Sequence, residues 1–289
     1  MEKREVREEF VRNIGLLSEE EQGKLDKAKV AVAGAGGVGG VHLLTLARLG
    51  VGKFAIADPD IFEPVNVNRQ FGAMASTCGR NKAAVLQEML RDINPQVEVT
   101  IFEEGIAEGN VRQFLEGVDI FVDGIDFFEI EARRLLFRTA REKGIYAMTA
   151  APLGFGATLQ VCAPTGMTFD EYFGISDSMG YEEKLAAFAS SLAPYPYHLR
   201  YLDLSKVDLA AKRGPALSLS CTLCASLVAT ATVKVLTGKG RVKPVPHYEQ
   251  IDLLLRKYKR GYLPFGGRNP LMKIKKRIIL RKMGVQRGR

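Results

Sequence analysis

The chain has 289 residues, of which 46% are hydrophobic and 26% are charged, and its formal net charge is +8 at pH 7. These values are ordinary for a globular protein with a sizeable core. Four cysteines are too few and too irregularly spaced for a disulfide framework, and the charged segment MEKREVREEF lacks the apolar core of a signal peptide. We therefore expect a cytoplasmic protein with reduced thiols.

Two helices are predicted before the first strand. Residues 2–13 are charged and predict a helix, and Ser18 with Glu21 forms a capping-box pattern at the start of a second helix over 19–27. A buried strand that ends in glycines and a helix over 38–50 follow.

Strands and helices alternate from there up to residue 165. In chain order, the pattern predicts strand VGKFAIAD, helix NKAAVLQEMLRDIN, strand VEVTIFEE, a strand within FLEGVDIFVDGID, helix EIEARRLLFRTAREKG, and strands IYAMTAAPLG and GATLQVCAP. This alternation predicts an α/β fold with a mostly parallel sheet covered by helices on both faces.

The alternation lapses between residues 165 and 215, in a stretch that is rich in aromatic residues. A long insertion in a compact domain is typical of a lid, a substrate loop or a partner surface. The alternative is a small satellite core that only packs. The sequence leaves both interpretations open.

Twenty residues without a charge, GPALSLSCTLCASLVATATV, occupy 214–233 and are long enough to span a bilayer. The segment holds six Ser or Thr and only six Leu or Val, so its apolar content is weak for membrane insertion. We predict a buried small-residue helix packed on the sheet, and no transmembrane segment.

The segment GAGGVGG at 34–40 directly follows the first predicted strand. Gly34 permits a tight turn, Gly36 lets the backbone approach a phosphate, and Gly39 lets the helix lie close to the strand. The helix N-terminus offers free N–H groups to an anion. Asp58, nineteen residues after Gly39, ends the second strand, where an acid can bind ribose hydroxyls. The pattern predicts nucleotide binding but does not separate NAD from ATP.

Three charged residues near the strand ends favour adenylyl transfer over hydride transfer. When a carboxylate attacks the α-phosphate of ATP and pyrophosphate leaves, negative charge builds on the phosphates and needs fixed cations. Arg69 and Lys82 supply such cations, and Asp126 supplies the single carboxylate that Mg²⁺ commonly uses beside phosphates.

The ordered series Arg12, GAGGVGG, Asp58, NVNRQ, GRNK and VDGID resembles the ThiF/MoeB type of the ubiquitin-activating enzyme superfamily. The resemblance covers roughly residues 10–165 well and is weaker over 210–240. It implies a Rossmann-like core and an ATP- and Mg²⁺-dependent adenylyltransferase that acts on the C-terminal glycine of a ubiquitin-like sulfur-carrier protein.

The same resemblance implies a role for each matching residue. Arg69 and Lys82 would hold the phosphates or ribose, and Asp126 would bind Mg²⁺. Arg12 would reach the γ-phosphate of ATP in a neighbouring subunit, which implies a homodimer with shared sites. The remaining nucleotide-binding residues would be Gly34, Gly36, Gly37, Gly39, Asp58, Asn66, Asn68 and Gln70, the last of which supports its loop.

We divide the chain accordingly into four parts. An N-terminal helical arm (1–28) precedes the Rossmann-like nucleotide-binding core (29–165). An insertion and the C-terminal half of the same domain occupy 166–255, and a basic tail occupies 256–289.

The cysteines depart from the pattern of many relatives, which hold a structural zinc with two CxxC pairs. Only Cys221 and Cys224 have that spacing here, and Cys78 and Cys162 do not form a second pair. We therefore predict no structural zinc and interpret the thiols as small buried hydrophobes. Cys78 is the one candidate near the pocket for a covalent thioester, and activation by AMP alone is the primary interpretation.

The basic tail contains eleven Lys or Arg and no acid from Lys259 onward. Residues 271–283 predict a basic amphipathic helix. Such a helix suits an anionic membrane surface, with peripheral membrane association, or RNA, or an acidic patch of a carrier protein. It equally suits docking on the protein's own acidic body.

Other functions remain open at this stage. The same pocket would serve adenylylation of a small-molecule or tRNA-attached carboxylate, in the manner of a cyclising dehydratase. The glycine loop and Asp58 also permit an NAD(P)-dependent oxidoreductase, in which Arg69, Lys82 and Asp126 have no natural role. A non-catalytic nucleotide-binding scaffold is the fourth alternative.

Overall fold

The structure is a computed structural model that describes residues 6–208 and 211–283. Its strands are β1 (Lys29–Ala33), β2 (Lys53–Ala57), β3 (Glu98–Phe102), β4 (Ile120–Asp123), β5 (Tyr146–Leu153), β6 (Gly156–Cys162), β7 (His247–Asp252) and β8 (Lys257–Tyr262). Its helices are α1 (Glu19–Lys27), α2 (Gly37–Arg48), α3 (Lys82–Ile93), α4 (Val111–Phe114), α5 (Ile130–Glu142), α6 (Phe169–Phe173), α7 (Tyr181–Leu192), α8 (Ser218–Thr237) and α9 (Pro270–Lys282).

All of these strands belong to one sheet, in the order β3-β2-β1-β4-β5-β6-β7-β8. Strands β1 to β5 run parallel, whereas β6, β7 and β8 are each antiparallel to the strand before them. The predicted mostly parallel α/β sheet is therefore confirmed. Successive strands are added on opposite sides of β1, so the order reverses between β1 and β4, where open α/β sheets bind ligands.

The N-terminal segment differs from the helix predicted over 2–13. Residues 1–5 lie outside the described residues, and Glu8–Asn13 forms a 3-10 helix rather than an α-helix. 3-10 helices are common in short helical segments, and this one is held by Phe10, which is buried against Gly50. The capping box of α1 is confirmed, because the Ser18 hydroxyl accepts from the Glu21 N–H at 3.1 Å and the Glu21 carboxylate accepts from the Ser18 N–H.

Four aromatic side chains of the 165–215 stretch belong to the main core. Phe169, Tyr172, Phe173 and Phe188 are buried, and they form one cluster with apolar residues of α5 and of the sheet. The Phe173 ring lies 4.5 Å from the Phe169 ring and 4.7 Å from the Phe188 ring. These residues therefore pack into the main core and do not form a separate satellite core, while a role of the stretch as a lid, a substrate loop or a partner surface stays a prediction.

Truncating Phe173 to alanine is expected to lower the free energy of unfolding by about 3–5 kcal/mol, because the change leaves a cavity among close-packed rings. Urea denaturation measures this difference. Phe265, a residue that is 74% exposed, provides the matched control, and we expect Phe265→Ala to change stability by less than about 0.5 kcal/mol. Equal effects of the two substitutions would contradict the packing described here.

Helix α8 contains the uncharged run and covers the sheet. By length and composition alone, this helix could cross a membrane. However, 44% of its 18-residue apolar stretch is buried inside the protein. Cys224, Val228, Ala229 and Ala231 join the core on the α2 side of the sheet. The burial supports the predicted core helix.

The basic C-terminal region is folded onto the rest of the chain as far as it is described. Its first part forms β8, and the predicted amphipathic helix is α9, which packs against α7. Met272 and Leu280 are buried, the Lys275 ammonium donates to the Pro194 carbonyl, and Lys276 lies 4.0 Å from Glu183. Docking on the protein's own body is therefore observed for α9.

Candidate functional site

The turns after β1 and β4 touch at the reversal point of the sheet. Gly34 has a φ of +84°, and a Cβ placed on it would lie 2.2 Å from the Gly124 carbonyl oxygen. A Cβ on Gly39 would lie 1.7 Å from the Gly34 carbonyl oxygen. Because no side chain fits at these positions, the glycines let helix α2 and the two turns approach each other.

The first turn of α2 is flanked by side chains from two other segments. Gly36 precedes the helix, and the Gln70 amide lies 3.5 Å from the position that a Gly36 Cβ would take. The Arg69 Cγ and the Cys221 Sγ lie 3.8 and 3.3 Å from the corresponding position on Gly37. The Gln70 Oε1 is buried and has no hydrogen-bond partner within the described residues. A donor from a ligand or water fits this orphaned acceptor.

Asp58 lies beside the glycine loop at the end of β2 and is 5% exposed. Its carboxylate accepts hydrogen bonds from the backbone N–H groups of Ala35 (2.6 Å) and Asp60 (2.8 Å). Burial raises the pKa of the Asp58 carboxyl above its usual value, while these hydrogen bonds and the charge of Lys82 oppose the shift. The carboxylate is therefore fixed in position directly beside the turn.

Lys82 is buried at the first position of α3 and brings a positive charge to the same end of the sheet. Its ammonium forms a salt bridge with Asp60 (2.9 Å), and its backbone N–H donates to the Asp60 carbonyl oxygen. The Asn81 side chain caps α3 by accepting from the Ala84 N–H at 3.0 Å. These contacts fix Lys82 close enough to Asp58 to influence its pKa.

The predicted residues of the NVNRQ segment form a compact loop before α3. Asn66 is buried, and its side-chain oxygen accepts from the Glu63 N–H at 3.1 Å, so it supports the local turn. The Arg69 guanidinium donates to the Val65 carbonyl oxygen and to the Asn68 side chain, both at 3.0 Å. The loop therefore carries Arg69 and Gln70 over the start of α2.

Asp126 is exposed on the turn after β4, and a buried arginine holds this turn from beneath. The Arg133 guanidinium donates to Asp123 (2.7 Å) and to the carbonyl oxygens of Ile125 (2.6 Å) and Asp126 (3.1 Å). The Asp123 carboxylate also accepts from the Ile125 N–H at 3.1 Å. Arg133 and Asp123 are 3% and 2% exposed in their side chains, so the turn rests on a buried ion pair.

The described residues 211–217, which we term the strap, pass between the two sides of the site. The Asn68 amide donates to the Ala216 carbonyl oxygen at 3.0 Å on the β2 side. Lys212 forms a 3.0 Å salt bridge with Glu129 on the β4 side, and its ammonium lies 5.9 Å from the centre of the Phe128 ring. The strap therefore connects the Arg69 loop to the Asp126 turn.

Arg12 is not brought to the site of its own chain. It is exposed in the N-terminal 3-10 helix, next to Asn13, which donates to the Leu49 carbonyl oxygen just beyond the end of α2. The glycine loop lies at the opposite, N-terminal end of α2. This helix has twelve residues, so the two ends are about 18 Å apart at 1.5 Å per residue.

The four cysteines are free thiols, and three of them are buried. Burial raises the pKa of the Cys221 thiol to about 11 and that of Cys162 to about 12, so neither is a ready nucleophile. Within residues 6–208 and 211–283, no group of three or more His, Cys, Asp or Glu side chains is arranged to hold a metal ion. The absence of a structural zinc stays a prediction.

Sequence reasoning missed Asp60, Arg133 and the strap residue Lys212. The spacing of Asp60, two residues after Asp58, was a usable signal for a second acid. Arg133 lies three residues after Ile130 and four before Phe137, on the buried stripe of α5, and an arginine there requires a buried partner. Lys212 carries no comparable signal, because its pairing with Glu129 joins residues far apart in the sequence.

Comparison with known proteins identifies relatives of the chain. It is 37% identical over 119 residues to tRNA threonylcarbamoyladenosine dehydratase of Bacillus subtilis, which covers 41% of the chain and 47% of the relative. It is 33% identical over 147 residues to SAMP-activating enzyme E1 of Haloferax volcanii, which covers 51% and 54%. The chain thus spans about half the length of the curated relatives it matches.

A solved structure and a family model match most of the chain. The structure of E. coli MccB with MccA has the same fold, with a TM-score of 0.68 and 18% identity over 93% of the chain and 75% of MccB. The model of the ThiF family matches residues 10–265, a span that contains the glycine loop, Asp58, Arg69, Lys82 and Asp126. The chain therefore belongs to the ThiF family.

Proposed function

We propose that this protein is an ATP- and Mg²⁺-dependent adenylyltransferase that activates a carboxylate as an acyl-adenylate. The observation that carries the proposal is the position of the glycine loop, Asp58, Arg69, Lys82 and Asp126 in the segments that follow the carboxyl ends of β1, β2 and β4. A binding site for a nucleoside triphosphate needs this combination of free backbone N–H groups and fixed positive charge.

The nucleotide fits the groups that lie around the glycine loop. The first turn of α2 offers N–H groups to the phosphates, and no side chain on Gly36 or Gly37 obstructs their approach. Asp58 is held by two backbone N–H groups, and its remaining lone pairs can accept from the ribose hydroxyls. The buried Gln70 Oε1 can accept one further hydrogen bond from the ligand.

Arg69 and Lys82 stabilise the charge that builds up during the reaction. An oxygen of the substrate carboxylate attacks the α-phosphorus of ATP, and the bond from that phosphorus to the bridging oxygen breaks. Pyrophosphate leaves with the electron pair, and AMP remains bound to the acyl group. Because the carboxylate is already ionised at pH 7, this step needs fixed cations rather than a general base.

Asp126 is suited to Mg²⁺, which supplies positive charge to the leaving phosphates when bound. One carboxylate oxygen of Asp126 accepts from the Phe128 N–H at 2.9 Å, and the residue is exposed in the turn after β4. Mg²⁺ prefers such a single carboxylate together with phosphate oxygens and water.

The substrate that we favour is the C-terminal glycine of a ubiquitin-like or sulfur-carrier protein. The match to a SAMP-activating enzyme supports this class. A tRNA-attached carboxylate is the second candidate, supported by the match to a tRNA threonylcarbamoyladenosine dehydratase. The pocket chemistry is the same for both, since each presents a carboxylate to ATP.

A homodimer would bring Arg12 to a nucleotide site. Arg12 lies about a helix length from the glycine loop of its own chain, so only a second copy can place it beside phosphates.

The exposed Leu271, Ile274 and Ile278 lie among the cations of α9, and this face supports contact with an anionic membrane surface, RNA or an acidic protein.

ATP–pyrophosphate exchange tests the proposed function. We expect exchange that depends on Mg²⁺ and on a carrier protein ending in Gly-Gly, and that falls at least about 100-fold in Asp126→Asn. Asp92→Asn, on the exposed surface of α3, is the matched control and should retain wild-type exchange.

The same assay decides between the substrates. Exchange with a tRNA carboxylate but with no carrier would establish the second candidate. The proposal of adenylyl transfer would be overturned if the protein bound NAD and not ATP, or if Asp126→Asn exchanged as fast as the wild type.

A further inference from the structure

A cavity of about 350 Å³ lies at the end of the sheet opposite the glycine loop. Strand β6 runs antiparallel to β5, so Val161 near its end lies beside the amino ends of the parallel strands. Leu159, Val161 and Ala231 form an apolar floor, and the walls come from the end of α8, residues 241–243, β7 and β8. The cavity shares no residue with the proposed adenylylation site.

Positive charge dominates the rim of this cavity. Lys234, Arg241, Lys243 and Arg260 line it together with one acid, Glu249. None of the four cations forms a salt bridge with any residue of 6–208 or 211–283. The Glu249 carboxylate already accepts from the Tyr258 hydroxyl at 2.7 Å. Like charges gathered around a concave surface attract an anion, because its binding relieves their mutual repulsion.

An exposed aromatic ring stands beside these cations. Tyr262 is 59% exposed, and its ring meets the His247 ring edge-on at 4.9 Å, which fixes its orientation. A nucleic acid base stacks on such a ring, while arginine and lysine hold the attached phosphate. The combination of an apolar floor, an exposed ring and four cations is what a nucleoside phosphate requires.

We propose that this cavity binds a nucleoside phosphate, with the phosphate held by Arg241, Lys243 and Arg260 and the base placed against Tyr262. Its volume lies in the range of small-ligand sites. The ligand is either a free mononucleotide or one nucleotide of an RNA strand, since both present the same phosphate and base. The site is separate from ATP activation and does not depend on it.

Binding measurements on the full chain test this proposal. Every protein compared, including the reference with a wild-type cavity, carries Asp58→Asn, which weakens nucleotide binding at the glycine loop without adding a nucleotide that would compete for the cavity. One arm uses radiolabelled AMP in equilibrium dialysis, and the other uses a fluorescent ten-nucleotide single-stranded RNA in anisotropy titrations. The variant Arg241→Glu/Lys243→Glu reverses two rim charges, and Arg241→Gln/Lys243→Gln removes them. Arg91→Glu/Lys143→Glu makes the same charge change at two exposed positions that do not line the cavity.

We expect the cavity variants to bind at least ten-fold more weakly than the reference, and the control to stay within two-fold. The slope of log affinity against log salt should decrease by about 1 for each lost phosphate contact. Binding of AMP identifies a free nucleotide as the ligand, and binding of the oligonucleotide alone identifies an RNA strand. The proposal is overturned if neither probe binds, or if the cavity variants and the control lose equal affinity.

Discussion

Gly39→Ala is expected to weaken ATP binding about 100-fold and to lower the free energy of unfolding by about 3 kcal/mol or more. The new Cβ would lie 1.7 Å from the Gly34 carbonyl oxygen, and a backbone atom cannot move aside as a flexible side chain can. Relief of this clash must push α2 away from β1 and displace the N–H groups that face the phosphates. Equilibrium ATP binding and urea denaturation measure the two effects.

Gly23→Ala is the matched control for this substitution. Gly23 lies within α1, and a Cβ added there meets nothing within 4 Å. Alanine is preferred over glycine inside a helix, so the control should gain about 0.5–1 kcal/mol in stability and bind ATP normally. Wild-type ATP affinity in Gly39→Ala would refute the close contact between the first turn of α2 and the turn after β1.

Arg133→Met is expected to cost about 3–5 kcal/mol of stability, because it leaves the buried Asp123 carboxylate without its partner. It also removes the hydrogen bonds that Arg133 makes to the carbonyl groups of the Asp126 turn. We therefore expect Arg133→Met to bind Mg²⁺ more weakly. In ATP–pyrophosphate exchange, the variant should need a higher Mg²⁺ concentration to reach its half-maximal rate.

The double variant Asp123→Asn/Arg133→Met separates the two effects. Removal of both charges should restore part of the stability, while the turn that carries Asp126 stays unsupported. Arg134→Met is the control for the Mg²⁺ requirement, since Arg134 is a buried arginine that pairs with Glu131, Asp170 and Asp177 and donates no hydrogen bond to the turn. Positioning by Arg133 is refuted if the double variant has both normal stability and a normal Mg²⁺ requirement.

The fold was predictable to the extent that it depends on local pattern. The alternation of strands and helices predicted β1 to β6 and the parallel sheet, because each element carries its own periodicity. The helix predicted over 2–13 is a 3-10 helix at Glu8–Asn13. Charged composition does not distinguish a short 3-10 helix from an α-helix. The burial of Phe173 and Phe188 was undecided, because their packing partners on α5 lie more than thirty residues away in the sequence.

The candidate site was predictable where a residue follows directly from a strand end or a glycine turn. Gly34, Gly39 and Asp58 lie together as their spacing predicts, because the carboxyl ends of parallel strands meet at one edge. The buried pair of Arg133 with Asp123 and the bridge from Lys212 to Glu129 depend on tertiary contacts. Such pairs leave little trace in a single sequence, so the support of the Asp126 turn emerged only from the structure.

The order of strands also determines when the protein can fold during its synthesis. Val30 of β1 pairs with Ile120 of β4, and Leu159 of β6 pairs with Glu249 of β7, so each pairing joins residues ninety positions apart. Helix α8, which covers the apolar face of β5 and β6, leaves the ribosome after both strands. A nascent chain that ends before α8 exposes that face to solvent. Such intermediates aggregate readily, so the early part of the chain depends on residues made long afterwards.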